Sequence, residues 1–208
     1  MRSCEAPVES DPEMKEADDR DTALAIAVHH GEAGALERLI DKFEPLLYRY
    51  ARGMLPNSGD AQDVVQETMI RAHRTLTSRY DSERVRTLAL RPWLFKTARN
   101  LCLNRRRSKT RAGEQPVEVL ERETTLSKLA EPGGDLERQQ DADRLHQALE
   151  RLPAGARELV VLRFLEEMSY AEIANLLGGT EASLRGRVFR SLKQLRDVLE
   201  KRGVNHAL

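Results

Sequence analysis

Long apolar runs are missing from this 208-residue chain: stretches such as Leu24–Val28 and Leu159–Leu162 fall far short of a membrane-spanning helix, which needs roughly 18 residues. Residues 1–20 also lack the apolar core of a signal peptide, so the reading predicts a cytoplasmic protein with no membrane insertion. There are two cysteines, Cys4 in a polar stretch and Cys102 in an amphipathic one, which excludes a disulfide framework and a cysteine-based zinc site. His29, His30, His73, His146 and His206 have no ligand spacing, no glycine-rich phosphate loop occurs, and acids and serines converge nowhere along the chain. Those absences predict no catalytic centre, no metal and no cofactor. With 40% hydrophobic and 33% charged residues, the chain suits one compact domain or two small ones.

Net charge is also missing, but only by cancellation. Residues 1–20 carry three Lys/Arg against seven Asp/Glu (net −4), and residues 91–112 carry eight against none (net +8). Residues 113–143 carry three against nine (net −6), and residues 181–202 carry seven against three (net +4). Two basic patches thus flank an acidic connector, a layout that favours a reader of nucleic acid over a small-molecule enzyme. A basic run can equally be a plain solvated face.

Apolar spacing then sets the fold class: all-α, two small helical domains joined by a flexible acidic linker. Residues 1–20 read as a disordered acidic tail, with too little apolar content to fold alone. The first domain spans 21–112. Leu36, Leu39, Ile40, Phe43, Leu47 and Tyr50 recur at helical spacing up to the Pro56-Asn57-Ser58-Gly59 break. Asp60 is a candidate N-cap for a second helix running to about Leu76. Residues 77–90 lack clear periodicity and read mainly as a loop, and Pro92 opens a third helix carrying Leu94, Ala98, Leu101 and Cys102. Trp93 and Phe95, in the first turn of that amphipathic helix, are both assigned to the core.

Residues 113–135, with Pro116 and Pro132-Gly133-Gly134, read as the linker, 136–202 as the second domain and 203–208 as a tail. In the second domain a helix stops at Pro153 and another covers about 154–165. Ser169-Tyr170-Ala171-Glu172 is a capping box. The helix it starts ends at Gly178-Gly179, and Thr180 caps a longer helix offering Arg185, Arg187 and Arg190 on one side and leucines on the other. Short helix, glycine turn and basic second helix are the grammar of a DNA-binding helix-turn-helix.

Four blocks in order carry a family resemblance. Asp60 to Arg74 (DAQDVVQETMIRAHR) resembles the conserved region 2 helix of sigma-70-family factors, above all the extracytoplasmic-function (ECF) group. Trp93 to Asn100 (WLFKTARN) with the basic run after it resembles the end of region 2, Leu152 to Leu159 the start of region 4, and Ser169 to Arg196 its helix-turn-helix. The resemblance implies a transcription initiation factor that binds core RNA polymerase, directs it to minus-10 and minus-35 promoter elements and assists melting. It implies docking of Asp60, Asp63, Gln66, Glu67 and Arg71 on the clamp of the largest polymerase subunit, and contact with the flap of the second largest. Asp60, Asp63 and Glu67 share one helix face, an acidic stripe for a basic partner or simply a solvated helix end.

The resemblance further implies minus-10 DNA binding by Tyr80, Arg91, Lys96, Arg99, Asn100, Arg105 and Arg106, with Tyr80 stacking on a captured base or acting as a packing lid. Minus-35 binding falls to Arg163, Thr180, Glu181, Ser183, Arg185, Arg187 and Arg190. Gly186 stands where the family often has serine, lowering helix propensity while allowing close backbone approach. Arg163 matches a phosphate-touching position, with a surface salt bridge to Glu166 or Glu167 as the alternative. An anti-sigma factor and promoter DNA are the remaining implied partners. The acidic connector is expected to fold over the basic faces in the isolated chain and hold it back from DNA. A dimeric helix-turn-helix repressor acting without polymerase is the competing reading, although such a protein has no use for the 60–74 helix.

Overall fold

The computed structural model describes residues 12–111 and 144–200, and among these all regular structure is helical. Helices α1 (Pro12–His29), α2 (Ala35–Met54), α3 (Ser58–Arg74), α4 (Ser82–Arg86) and α5 (Leu90–Arg111) form one bundle. The second bundle holds α6 (residues 144–150), α7 (Ala154–Val160), α8 (Tyr170–Leu177) and α9 (Glu181–Glu200). Two π-helical turns, Thr75–Arg79 and Val161–Leu165, extend α3 and α7. None of the described helices is long and apolar enough to cross a membrane. The acidic connector and residues 1–11 lie outside the described residues.

The first correction to the sequence reading is at the N-terminus, where α1 begins at Pro12 instead of near Thr22. Proline suits a first helical turn and acids suit the positive helix end, so the composition that reads as a tail is also that of a helix start. Asp21, almost fully buried, accepts a hydrogen bond from Lys42 of α2 and ties the two helices together. Leu39, Phe43, Leu47, Tyr50 and Met54 bury the α2 stripe completely.

The second correction is the cap of α3. Asn57, not Asp60, is the N-cap, its side-chain oxygen accepting from the backbone N–H of Gly59 (2.7 Å) and Asp60 (3.3 Å). The helix therefore starts at Ser58, and Asp60 is left in the first turn with its carboxylate outward. The third correction lies in 77–90, which is not mainly loop: the π-turn runs to Arg79, and Asp81 then caps α4 through the Arg84 N–H (2.8 Å). A five-residue helix burying one side chain, Val85, leaves no period to read. The ring nitrogens of His29 lie 2.7 Å from the Leu76 carbonyl oxygen and 3.0 Å from Ser82 Oγ, so α1 buttresses both ends of the segment that carries Tyr80.

Helix α5 starts at Leu90 with Pro92 in its first turn, and Leu94, Phe95, Ala98 and Cys102 are fully buried. Phe95 meets Tyr50 edge-on at 5.5 Å between ring centroids. The Cys102 thiol is free, and burial pushes its pKa up to about 12, which makes it a packing residue and not a nucleophile. In the second bundle the Ser169–Glu172 capping box is formed in both directions (2.7 and 3.2 Å). Gly178 and Gly179 take φ of 79° and 101°, left-handed values that favour glycine. Thr180 Oγ1 then accepts from the Ser183 N–H (3.3 Å) and opens α9, whose Leu184, Val188 and Leu195 hold it to the domain.

Candidate polymerase and nucleic-acid interfaces

On α3, Asp63, Gln66 and Arg71 are exposed and Asp60 and Glu67 half-buried, one acidic ridge on the outside of the bundle. Its carboxylates are answered from within the chain. Arg105 of α5 donates to Asp63 (2.9 Å) and Asp60 (3.5 Å), and Arg71 donates to Glu67 (2.7 Å). The fold thus brings a residue expected on DNA, Arg105, onto the ridge expected on polymerase. Exposed pairs of this kind contribute only about 0–1 kcal/mol, so a stronger partner can replace them.

Where α3 runs into its π-turn, an open cleft of about 470 Å³ separates it from α5. Tyr80, Trp93, Thr97 and Asn100 line it together with Glu67, Arg71, Arg74 and Arg79. Tyr80 sits half-buried with the Arg84 guanidinium 5.6 Å from its ring centroid. An aromatic wall, an amide and several guanidiniums in one cleft are the parts a flipped base and its phosphate require. Trp93 belongs to this wall; Phe95, two residues on, is pure core. The period could not separate them, because both lie in the first turn of the same helix. Thr97, Arg74 and Arg79 were missed, having no motif of their own. Lys96 is exposed, and lines a smaller cleft of about 250 Å³ beside Asn175 of α8.

Arg91 and Arg99 go elsewhere. Arg99 forks onto Glu158 of α7 (2.6 and 3.3 Å), and the Tyr50 hydroxyl donates to the same carboxylate (3.0 Å). Arg91 donates to the Glu166 carbonyl oxygen (2.8 Å) and lies 3.5 Å from Glu172. Arg49 forks onto the Glu166 carboxylate (2.9 and 3.1 Å). Arg157, whose guanidinium burial lowers to about pKa 10, donates to carbonyl oxygens of Met54, Glu150 and Leu152. These residues form a seam between the two bundles. Burial there pushes the Glu166 carboxyl up despite Arg49, and pushes the Tyr50 phenol well up, helped by Glu158. Arg106 is half-buried on α5.

On the second bundle Arg185, Arg187 and Arg190 are exposed along α9, with Ser183 and Thr180 at its start and Glu181 3.6 Å from Arg185. The Tyr170 ring lies 5.3 Å from both the Arg163 and Arg185 guanidiniums. Arg163 also donates to the Met168 carbonyl oxygen (3.1 Å); Glu166, its expected salt-bridge partner, is taken by Arg49 instead. Tyr170, read from sequence only as a capping-box residue, therefore spaces two cations; nothing in a spacing of seven and fifteen residues signals that. Each such contact is worth about 0.5–1 kcal/mol at an exposed site. Tyr170→Ala is expected to weaken binding of minus-35 duplex several-fold and Tyr170→Phe to leave it unchanged, as read by fluorescence anisotropy.

Two family models match the chain in the order of its bundles: Sigma-70 region 2 over residues 39–112 and Sigma-70 region 4 over residues 142–195. The ECF RNA polymerase sigma factor SigM of Mycobacterium tuberculosis is 32% identical over 183 residues, covering 87% of this chain and 86% of SigM. The chain belongs to the ECF sigma factors. SigE of Mycolicibacterium smegmatis is 30% identical over 198 residues, covering 92% of this sigma factor and 73% of SigE. The solved structure of CnrH in complex with the cytosolic domain of CnrY shares the fold, with a TM-score of 0.63 at 24% identity over 88% of this sigma factor and 99% of CnrH. In this sigma factor the region 2 match contains the ridge and the 470 Å³ cleft, while α1, which holds the cleft segment through His29, lies outside it.

Proposed function

We propose that this sigma factor docks on the clamp of core RNA polymerase through the α3 ridge and on the flap through its second bundle, captures a minus-10 base in the Tyr80–Trp93–Asn100 cleft, and reads the minus-35 duplex with α9. The cleft carries the reading: it gathers stacking, hydrogen-bonding and cationic groups at one place between α3 and α5, within a family whose function is transcription initiation. The ridge lies on the same helix, so a strand in the cleft would sit directly beside the polymerase. Arg105 and Arg106 then hold backbone, and Arg91, Lys96, Arg99 and Asn100 follow the strand along α5. Arg163, Thr180, Glu181, Ser183, Arg185, Arg187 and Arg190 meet the duplex. CnrH and the RpoE of Bartonella quintana were each solved with a regulatory partner, RpoE with the anti-sigma factor NepR, and we extend a partner of that class to this chain. The function asks for no cofactor and no catalysis by the chain itself.

Run-off transcription with purified core polymerase on the promoter upstream of its own gene tests the reading. A transcript that depends on the added chain is expected. Arg185→Ala is expected to cost about 1–3 kcal/mol at the matched minus-35 element and to relax discrimination there. Palindromic duplex binding that needs no polymerase, with no transcript, would replace this reading by the repressor.

A further inference from the structure

The seam between the bundles is sorted by charge. Arg49, Arg91 and Arg99 come from α2 and α5, and Glu158, Glu166 and Glu172, which answer them, come from the second bundle. Glu158 and Glu166 are 4% and 1% exposed, and the side-chain bonds of both carboxylates cross the seam, two of them bidentate forks. Forked guanidinium contact is also the way arginine takes a phosphate. Burying an ion pair costs about as much in lost hydration as the attraction returns, so such a seam gives specificity of fit with little net hold. A polyanion reaching the same guanidiniums competes on nearly even terms.

An independent feature shows that the fit is built for closure. Gly53 lies in the last turn of α2, where glycine costs about 1 kcal/mol against alanine. A Cβ at that position would come 2.7 Å from Val161 Cγ2 of the second bundle, a short, branched side chain with no room to yield. The clash exists only when the bundles are together.

We propose that the second bundle is an intramolecular competitor of single-stranded DNA: Glu158 and Glu166 stand where strand phosphates bind on the α2–α5 face, and Arg49 belongs to that phosphate-binding set with Arg91 and Arg99. The proposal rests on the reading that α5 grips the promoter strand, and it adds Arg49 and a mask. The mask is not the acidic connector expected from composition but two carboxylates of the second bundle. Closure and strand binding exclude each other, and the coupling is reciprocal: strand favours the open form, and whatever opens the seam favours strand.

The full-length chain, without polymerase, tests this with a random-sequence single-stranded oligonucleotide, followed by anisotropy and small-angle scattering. The Glu158→Gln, Glu166→Gln double variant and, separately, Gly53→Ala are each expected to expand the free protein and bind the strand about tenfold tighter. Gly53→Ala alters no charge, so agreement between the two separates opening from the loss of two acids. Arg49→Ala placed on the Gly53→Ala background is expected to remove severalfold of that gain. Saturating strand should also expand the wild-type chain. Unchanged scattering and strand affinity in both opened variants, with circular dichroism still helical, overturns the mask; an unchanged affinity for Arg49→Ala on the opened background overturns its place in the set. A chain that shows the competition but drives no run-off transcript refutes the promoter reading and not the seam; the converse result refutes the seam alone.

Discussion

Phe95→Ala is expected to unfold the first bundle at growth temperature, while Trp93→Ala leaves it folded and fails at the promoter. Phe95 is fully buried and packs edge-on against Tyr50, also fully buried. Truncating such a ring costs about 3–5 kcal/mol, transfer plus cavity, and aromatic pairing adds to the loss. For a bundle of this size ~4 kcal/mol lowers Tm by roughly 15–30 °C. Tyr50 would lose its ring partner while its hydroxyl still holds Glu158, so the damage spreads to the seam. Trp93 is only half-buried on the cleft wall, and its removal costs far less stability. A base that stacks there loses about 1–3 kcal/mol, which corresponds to roughly tenfold or more in open-complex yield, measured by permanganate footprinting with core polymerase. Equal melting temperatures for the two variants would refute the division of labour between them.

That contrast marks the limit of what periodicity reveals. A helical period reports which side of a helix is apolar, and it placed Phe95, Leu94 and Ala98 in the core correctly. It cannot say that the residue one step round the helix meets a cleft instead of a neighbour, because the cleft is made by Tyr80 and Arg79 from another part of the chain. The helix-turn-helix was legible almost to the residue, since its capping box, Gly178-Gly179 and Thr180 are local devices whose chemistry is written in adjacent positions. Helix α1 was half missed because acids and a proline suit both a tail and a helix start. The seam was illegible: Glu158 and Arg99 stand 59 residues apart, and Arg49 and Glu166 stand 117 apart, with nothing local to couple them. The charge counts did predict masking of the basic faces, but they pointed to the richest acidic segment, whereas the structure uses single carboxylates on the opposing bundle.

The α3 ridge should prove the most sensitive surface for polymerase binding. Reversal of Asp63 and Glu67 to lysine is expected to lower affinity for core polymerase at least a hundredfold and to leave circular dichroism and Tm nearly unchanged. The fold is spared because both carboxylates point outward; their pairs with Arg105 and Arg71 are exposed, and neither residue lies in the first turn where the helix dipole would reward an acid. The complex is not spared, because charges matched across an interface are partly desolvated there, with couplings of about 1.5–7 kcal/mol for close pairs. Arg105 complicates the result, since a lysine at 63 also repels it. The swap Asp63→Arg with Arg105→Asp restores that internal pair while keeping the reversed charge on α3. If the ridge itself meets a basic clamp, the swap stays as defective as the reversal in pull-downs with core enzyme. If the swap recovers binding, Asp63 acts by holding Arg105 in place, and the docking face lies elsewhere on the bundle. An unchanged pull-down for the double reversal removes α3 from the interface altogether.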